Sequence, residues 1–73
     1  MNWYKWEKLG WSWSIGYSKD RGYYAECWRD LDEPVKVDGR WYYRECLIEF
    51  ARHTIIAEAK LQERLETRYK KDK

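Results

Sequence analysis

"GWSWSIGYSKDRGYYAECWRD", residues 10–30, is the stretch whose reading decides the fold. Large and small side chains alternate along its first half. Trp11, Trp13, Ile15 and Tyr17 share one parity, and Ser12, Ser14, Gly16 and Ser18 the other. Successive strand residues point to opposite faces, so this period of two reads as a strand with one buried face. Lys19-Asp20-Arg21-Gly22 is a turn, and Gly22 suits the left-handed position of a type I turn with a G1 bulge. Residues 23–30 then return as the partner strand.

The turn sets the register, and a one-residue slip would exchange the faces. With a bulge at Gly22, Tyr17 opposes Ala25 and Ile15 opposes Cys27. Trp11, Trp13, Ile15 and Tyr17 then join Tyr23, Ala25 and Cys27 as the core row. Ser12, Ser14 and Gly16 lie opposite, beside Tyr24, Glu26 and Trp28. A plain four-residue loop would instead put Tyr24 and Trp28 on the Trp11/Trp13 face. The bulged register is preferred because it places Glu26 outside and Ala25 and Cys27 inside.

Downstream, residues 31–34 read as a polar loop, with Pro34 barring helix at Glu33. Val35-Lys36-Val37 is a short strand, and Asp38-Gly39 is a hairpin turn signal. Residues 40–43 fit either a fourth short strand or a first helical turn. From about residue 44 to 69 there is neither Gly nor Pro. At 100° per residue, Leu47, Phe50, Ala51, Thr54, Ala57, Leu61 and Leu65 line one stripe, widened by Ile48, Ile55 and Ala59. Residues 1–9 are a candidate edge strand through Trp3 and Trp6. The expected fold class is α+β in one domain spanning residues 1–73. It consists of a small antiparallel sheet of two to four strands, hairpin 11–18/23–30, packed on one long C-terminal helix over about 44–69.

The chain has 73 residues, and 19% are aromatic. So short a chain buries a limited share of its surface, and large rings are one way to build enough core. The mean hydropathy of −1.06 reflects how Trp and Tyr score rather than disorder. A net charge of +2 is too weak for a duplex-DNA footprint and has the wrong sign for an acidic DNA mimic. No apolar leader or membrane-length run is present, so a cytoplasmic protein with reduced Cys27 and Cys46 is expected.

The residues for chemistry are sparse. On a helix, His53 would lie near Glu49 and Cys46, but a metal site needs three or four ligands. Two helical turns also separate Cys46 from His53, too far for a nucleophile pair. The four glycines form no phosphate loop, and Ser12, Ser14 and Ser18 alternate along a strand without a nucleophile elbow. No catalytic residue, cofactor or metal is expected. Glu58 falls within the helix stripe, which calls for solvent access, a dimer contact or an Arg partner. The basic residues Arg64, Arg68, Lys70, Lys71 and Lys73 read as a solvated helix end that complements the dipole.

Binding is the remaining class. Tyr24 and Trp28, beside Ser12, Ser14 and Gly16, form a shelf of rings over small residues, with Arg21 and Arg29 near it. Trp, Tyr and Arg dominate protein-binding hot spots, and the same rings could stack bases at about 1–3 kcal/mol each. Cover by Trp3 and Trp6 is the competing reading of this face. Ile56, on the polar back of the helix near Arg52, is a second anchor candidate. A helix over 44–69 would overhang the sheet, which makes Leu61, Leu65 and Tyr69 a candidate homodimer seam. Residues 38–50, "DGRWYYRECLIEF", resemble the last strand and helix of small excisionase-like winged helices. The recognition-helix pair that should precede them is missing, so no DNA-binding residue is carried over. The expected role is a small non-enzymatic binding protein that occupies another protein's surface. Virus-encoded inhibitors of bacterial enzymes or defence systems are the analogy in this size class. The alternative is binding of a nucleotide or single-stranded nucleic acid, including sequestration of a nucleotide signal.

Overall fold

A computed structural model describes residues 2–70. Along the chain run α1 (Trp3–Glu7), β1 (Ser12–Ser18), β2 (Gly22–Val37), β3 (Arg40–Ala51) and α2 (Thr54–Lys70). The strands form one antiparallel sheet in the order β1-β2-β3. The molecule measures 34 × 28 × 18 Å, and its short dimension holds one sheet and one helical layer. The fold is small α+β, as the alternation and the C-terminal periodicity require.

The first hairpin keeps the expected faces with a different pairing. Tyr17 opposes Tyr23, Ile15 opposes Ala25 and Trp13 opposes Cys27. Each partner lies two residues from the one the bulge argument gave, and a shift of two leaves every side chain on its face. Gly22 adopts φ +87°, where an L side chain is strained, and a Cβ there would lie 3.0 Å from the Ala51 carbonyl oxygen. Both requirements make glycine the residue for this corner.

The largest departure is at residues 44–51, which are strand where helix was expected. The excisionase-like reading of residues 38–50 falls with it. Asp38 (φ 49°) and Gly39 (φ 80°) are both left-handed, as a type I′ turn requires. That turn pairs Val37 with Arg40 and sends the chain back along β2 as far as Ala51 opposite Tyr23. The aromatic and β-branched run Trp41, Tyr42, Tyr43, Ile48 and Phe50 suits a pleated surface. Residues 31–34, read as a loop, continue β2 through a register shift between Asp30 and Val35. Beyond the end of β1 this β2–β3 ribbon projects alone, and residues 32–44 are all exposed.

The helix therefore starts at Thr54, where the Ala57 N–H donates to the His53 carbonyl at 3.1 Å. Its 17 residues span about 26 Å at 1.5 Å per residue, close to the roughly 24 Å of a seven-residue strand such as β1. Nothing overhangs. Ala57, Leu61 and Leu65 are fully buried on Ala25 and Cys27, with Leu47, Ala51 and Tyr69 packed around them. Leu61 and Leu65 thus belong to the core of the single chain and are not on its surface, where the expected seam would need them. Ala59 and Ile55 do not widen the stripe but face outward, Ile55 being 77% exposed.

Residues 2–9 do not form an edge strand. Trp3–Glu7 is a helical turn, and the Trp6 carbonyl accepts N–H groups from Leu9 (3.0 Å) and Trp11 (3.1 Å). Gly10, at φ +93°, then turns the chain into β1. This folds Trp6 into the core beside Trp11 and stacks Trp3 on Trp13 at 4.7 Å. The expected core row is correspondingly shortened. Because α2 packs across β2 and β3, Trp13, Ile15 and Tyr17 stay exposed, with α1 reaching Trp13 through Trp3 and Glu7.

The outer edge of β3 is protected beside the helix. Lys60 donates to the Phe50 carbonyl, and Arg64 to the Ile48 carbonyl, while Arg64 also pairs with Glu49 at 2.6 Å. Basic side chains over an edge block pairing with a further strand.

Candidate functional site

Both helices pack on the odd-numbered face of the sheet. Their side-chain contacts land on Trp11, just before β1, and on Trp13, Arg29, Glu45 and Glu49 of the strands. The even-numbered face has no layer over it among the described residues. Three cross-strand rows build it: Gly16–Tyr24–Phe50, Ser14–Glu26–Ile48 and Ser12–Trp28–Cys46. An antiparallel sheet commonly turns one face to water, and that face is normally polar. Here it carries half-buried Tyr24, Trp28 and Phe50, with Ile48 40% exposed. The competing reading, in which Trp3 and Trp6 cover this face, fails because both lie on the other side.

Gly16 shapes one end of the face. A Cβ built there would fall 2.5 Å from Tyr24 Cζ and 2.7 Å from Cε2, so the phenol lies across the glycine backbone. Such cross-strand cover of a glycine by an aromatic ring pins register. The Tyr24 ring meets Phe50 at 6.1 Å, and the Arg21 guanidinium sits 5.1 Å over Phe50. Arg21 therefore belongs with Tyr24 at this end, and Trp28 lies four residues along β2 on the same face.

The remaining expected site residues go elsewhere. Arg29 is on the helix side, paired with Glu45 at 2.8 Å and donating to the Tyr69 hydroxyl at 3.4 Å. It also lies 5.4 Å over Trp11, on the face opposite the ring shelf. Tyr69 accepts from Trp11 Nε1 at 2.8 Å and packs on Trp6, so these contacts are intramolecular. Arg68 completes the ion cluster on Glu45. Arg52 lies exposed in the β3–α2 connection, and Ile56, 44% exposed, lies on the helix, so neither joins the open sheet face. Lys71 and Lys73 lie outside the described residues. Glu58 takes a partner the sequence did not suggest, the Trp3 indole N–H at 3.0 Å.

The Cys46/Glu49/His53 arrangement does not exist. Cys46 and Glu49 point to opposite faces of β3, and His53 stacks on Tyr23. Among the described residues no three His, Cys, Asp or Glu side chains converge as a metal site would need. No helix among them is long and apolar enough to cross a membrane. Sequence reasoning missed Cys46, Ile48 and Phe50 as parts of the open face. The Asp38-Gly39 turn was the available signal, since following it back along β2 places all three.

The two thiols also separate by face. Cys27 is fully buried, and burial pushes its thiol up to about 11 from an ordinary 9.0. Cys46 is exposed on the other side, and both are free. Alkylation of the native protein at pH 8 should stop at one thiol, Cys46, with Cys27 labelled only in denaturant. Equal labelling rates would contradict the burial. The sign for stability follows: the unfolded chain releases this proton near 9 while the native state holds it to about 11. Stability is lost as pH rises through that window.

No family model, curated protein or solved structure matches this chain.

Proposed function

We propose that this chain is a small non-enzymatic binding protein that occupies another protein's surface through the open face of its sheet. The observation that supports this is an uncovered sheet face built of Tyr24, Trp28, Ile48 and Phe50 where a solvated face would be polar. Aromatic and Arg side chains at the centre of such a patch are the usual anchors of protein interfaces. An inhibitor encoded by a virus against a bacterial enzyme or defence system is the form of this role that size and composition favour, and its mechanism is steric.

The second reading is a nucleotide or single-stranded nucleic acid on the same rings. Arg21 over Phe50 beside Tyr24 favours it. Glu26, between Tyr24 and Trp28, opposes it by repelling phosphates.

One comparison separates the two. Wild type and Trp28→Ala, matched for melting temperature, are used as baits in a bacterial lysate and titrated with mono-, cyclic and oligonucleotides. The proposal expects a protein retained by wild type and released at least tenfold more readily by Trp28→Ala, with no nucleotide-induced quenching. A partner indifferent to Trp28 defeats the assignment of the face. Quenching that disappears in Trp28→Ala replaces the proposal with the second reading.

A further inference from the structure

Four carboxylates among the described residues are half-buried: Glu26, Glu45, Glu49 and Glu58. Three are satisfied within the chain. Glu45 is held by Arg29 and Arg68, Glu49 by Arg64, and Glu58 by the Trp3 indole. Glu26 has neither an ion pair nor a hydrogen bond to a described side chain. It stands at the middle of the open face, between Ser14 and Ile48 in its own row. Along β2 it lies two residues from Tyr24 and two from Trp28, about 7 Å each way at strand rise. The cations nearest this face are already engaged, Arg21 on the Phe50 ring and Arg44 on Asp30 at 2.9 Å. Arg21 is thus held on Phe50 at one end of the face, and no described cation sits on the Glu26 carboxylate at its middle.

We infer that the partner of this face is a protein segment that presents an Arg or Lys to Glu26, its aliphatic stem lying against Tyr24, Trp28 and Ile48. This rests on the open face being the binding surface. A half-desolvated carboxylate with Tyr24 and Trp28 two residues to either side suits a cation on three grounds. The charges pair, the rings attract the cation through their quadrupoles, and the long stem covers apolar surface. Arg fits best, since its guanidinium stacks on a ring and grips a carboxylate together. Anionic ligands are disfavoured at the same place for the same reason.

A displayed library of short random peptides, selected on wild type, tests the inference. Enriched peptides should share an Arg or Lys flanked by apolar residues. Glu26→Gln should weaken them roughly 10- to 100-fold, the range for a hydrogen bond to a charged group. Glu26→Lys should recover binding when the peptide's basic residue is replaced by Glu, a rescue that a merely misfolded variant cannot give. Peptides that depend on Tyr24 and Trp28 yet ignore Glu26, or that carry no basic residue, overturn the inference and leave the binding face standing. No enrichment, or peptides indifferent to Tyr24 and Trp28, overturns both.

Discussion

Trp6→Ala is expected to destabilise the chain by roughly 3–5 kcal/mol, the range for removing a large ring from a packed core. Trp6 is 1% exposed and touches both halves of the core, Trp11 on the sheet side and Tyr69 from α2. Its indole N–H has no hydrogen-bond partner among the described groups, so the loss is one of packing and apolar burial rather than of a broken polar network. A domain of this length has a total stability of roughly 4–11 kcal/mol. The substitution therefore removes a large fraction of it and lowers the melting temperature by at least about 12 °C. Trp6→Phe keeps a ring in the site and should lose clearly less. Calorimetry of the three proteins checks this ordering. A Trp6→Ala melt within a few degrees of wild type would mean that α1 is not docked as described.

Leu65→Asp separates a core residue from an interface residue. Leu65 is fully enclosed beneath α2, and an aspartate there combines a cavity with a desolvated charge. The cavity alone costs about 2–5 kcal/mol, and the charge adds several more. The variant should be unfolded at 25 °C by near-ultraviolet circular dichroism, at every protein concentration. Were Leu65 part of a dimer seam, the same change would yield a folded monomer by light scattering with most of the wild-type melt intact. That outcome would restore the seam and refute the single-chain core. Leu61, one turn earlier and equally buried, predicts the same result.

The sequence by itself determined several features that depend on neighbours a few residues apart, though not the helical turn at Trp3–Glu7 or the strand through residues 31–34. Gly22 at its left-handed corner, the parity of residues 11–18 and 23–28, the Asp38-Gly39 turn and the helical period of residues 54–69 follow from local sterics and alternation. The even-numbered shelf of Tyr24 and Trp28 over Ser12, Ser14 and Gly16 was legible for the same reason. The exact partners in the first hairpin were less so, because a shift of two residues changes every pair while conserving both faces.

Tertiary structure decided what two local patterns could serve equally. Residues 44–51 satisfy a helical stripe through Leu47, Phe50 and Ala51, and a strand alternation through Cys46, Ile48 and Phe50. A long pairing with β2, launched by a turn of fixed hand, settles the choice, and no local propensity could. That choice shortens α2 to the length of the sheet, draws Leu61, Leu65 and Tyr69 inside, and sends Ile48 and Phe50 to the open face. The same holds for the long-range polar pairs. Arg29 with Glu45 and Tyr69, and Trp3 with Glu58, join residues that only the packed layers bring within hydrogen-bond reach. Which face lay covered was fixed by where α1 and α2 docked. Glu26 was placed outside by parity alone, but its lack of a partner emerged only once the other half-buried carboxylates had found theirs.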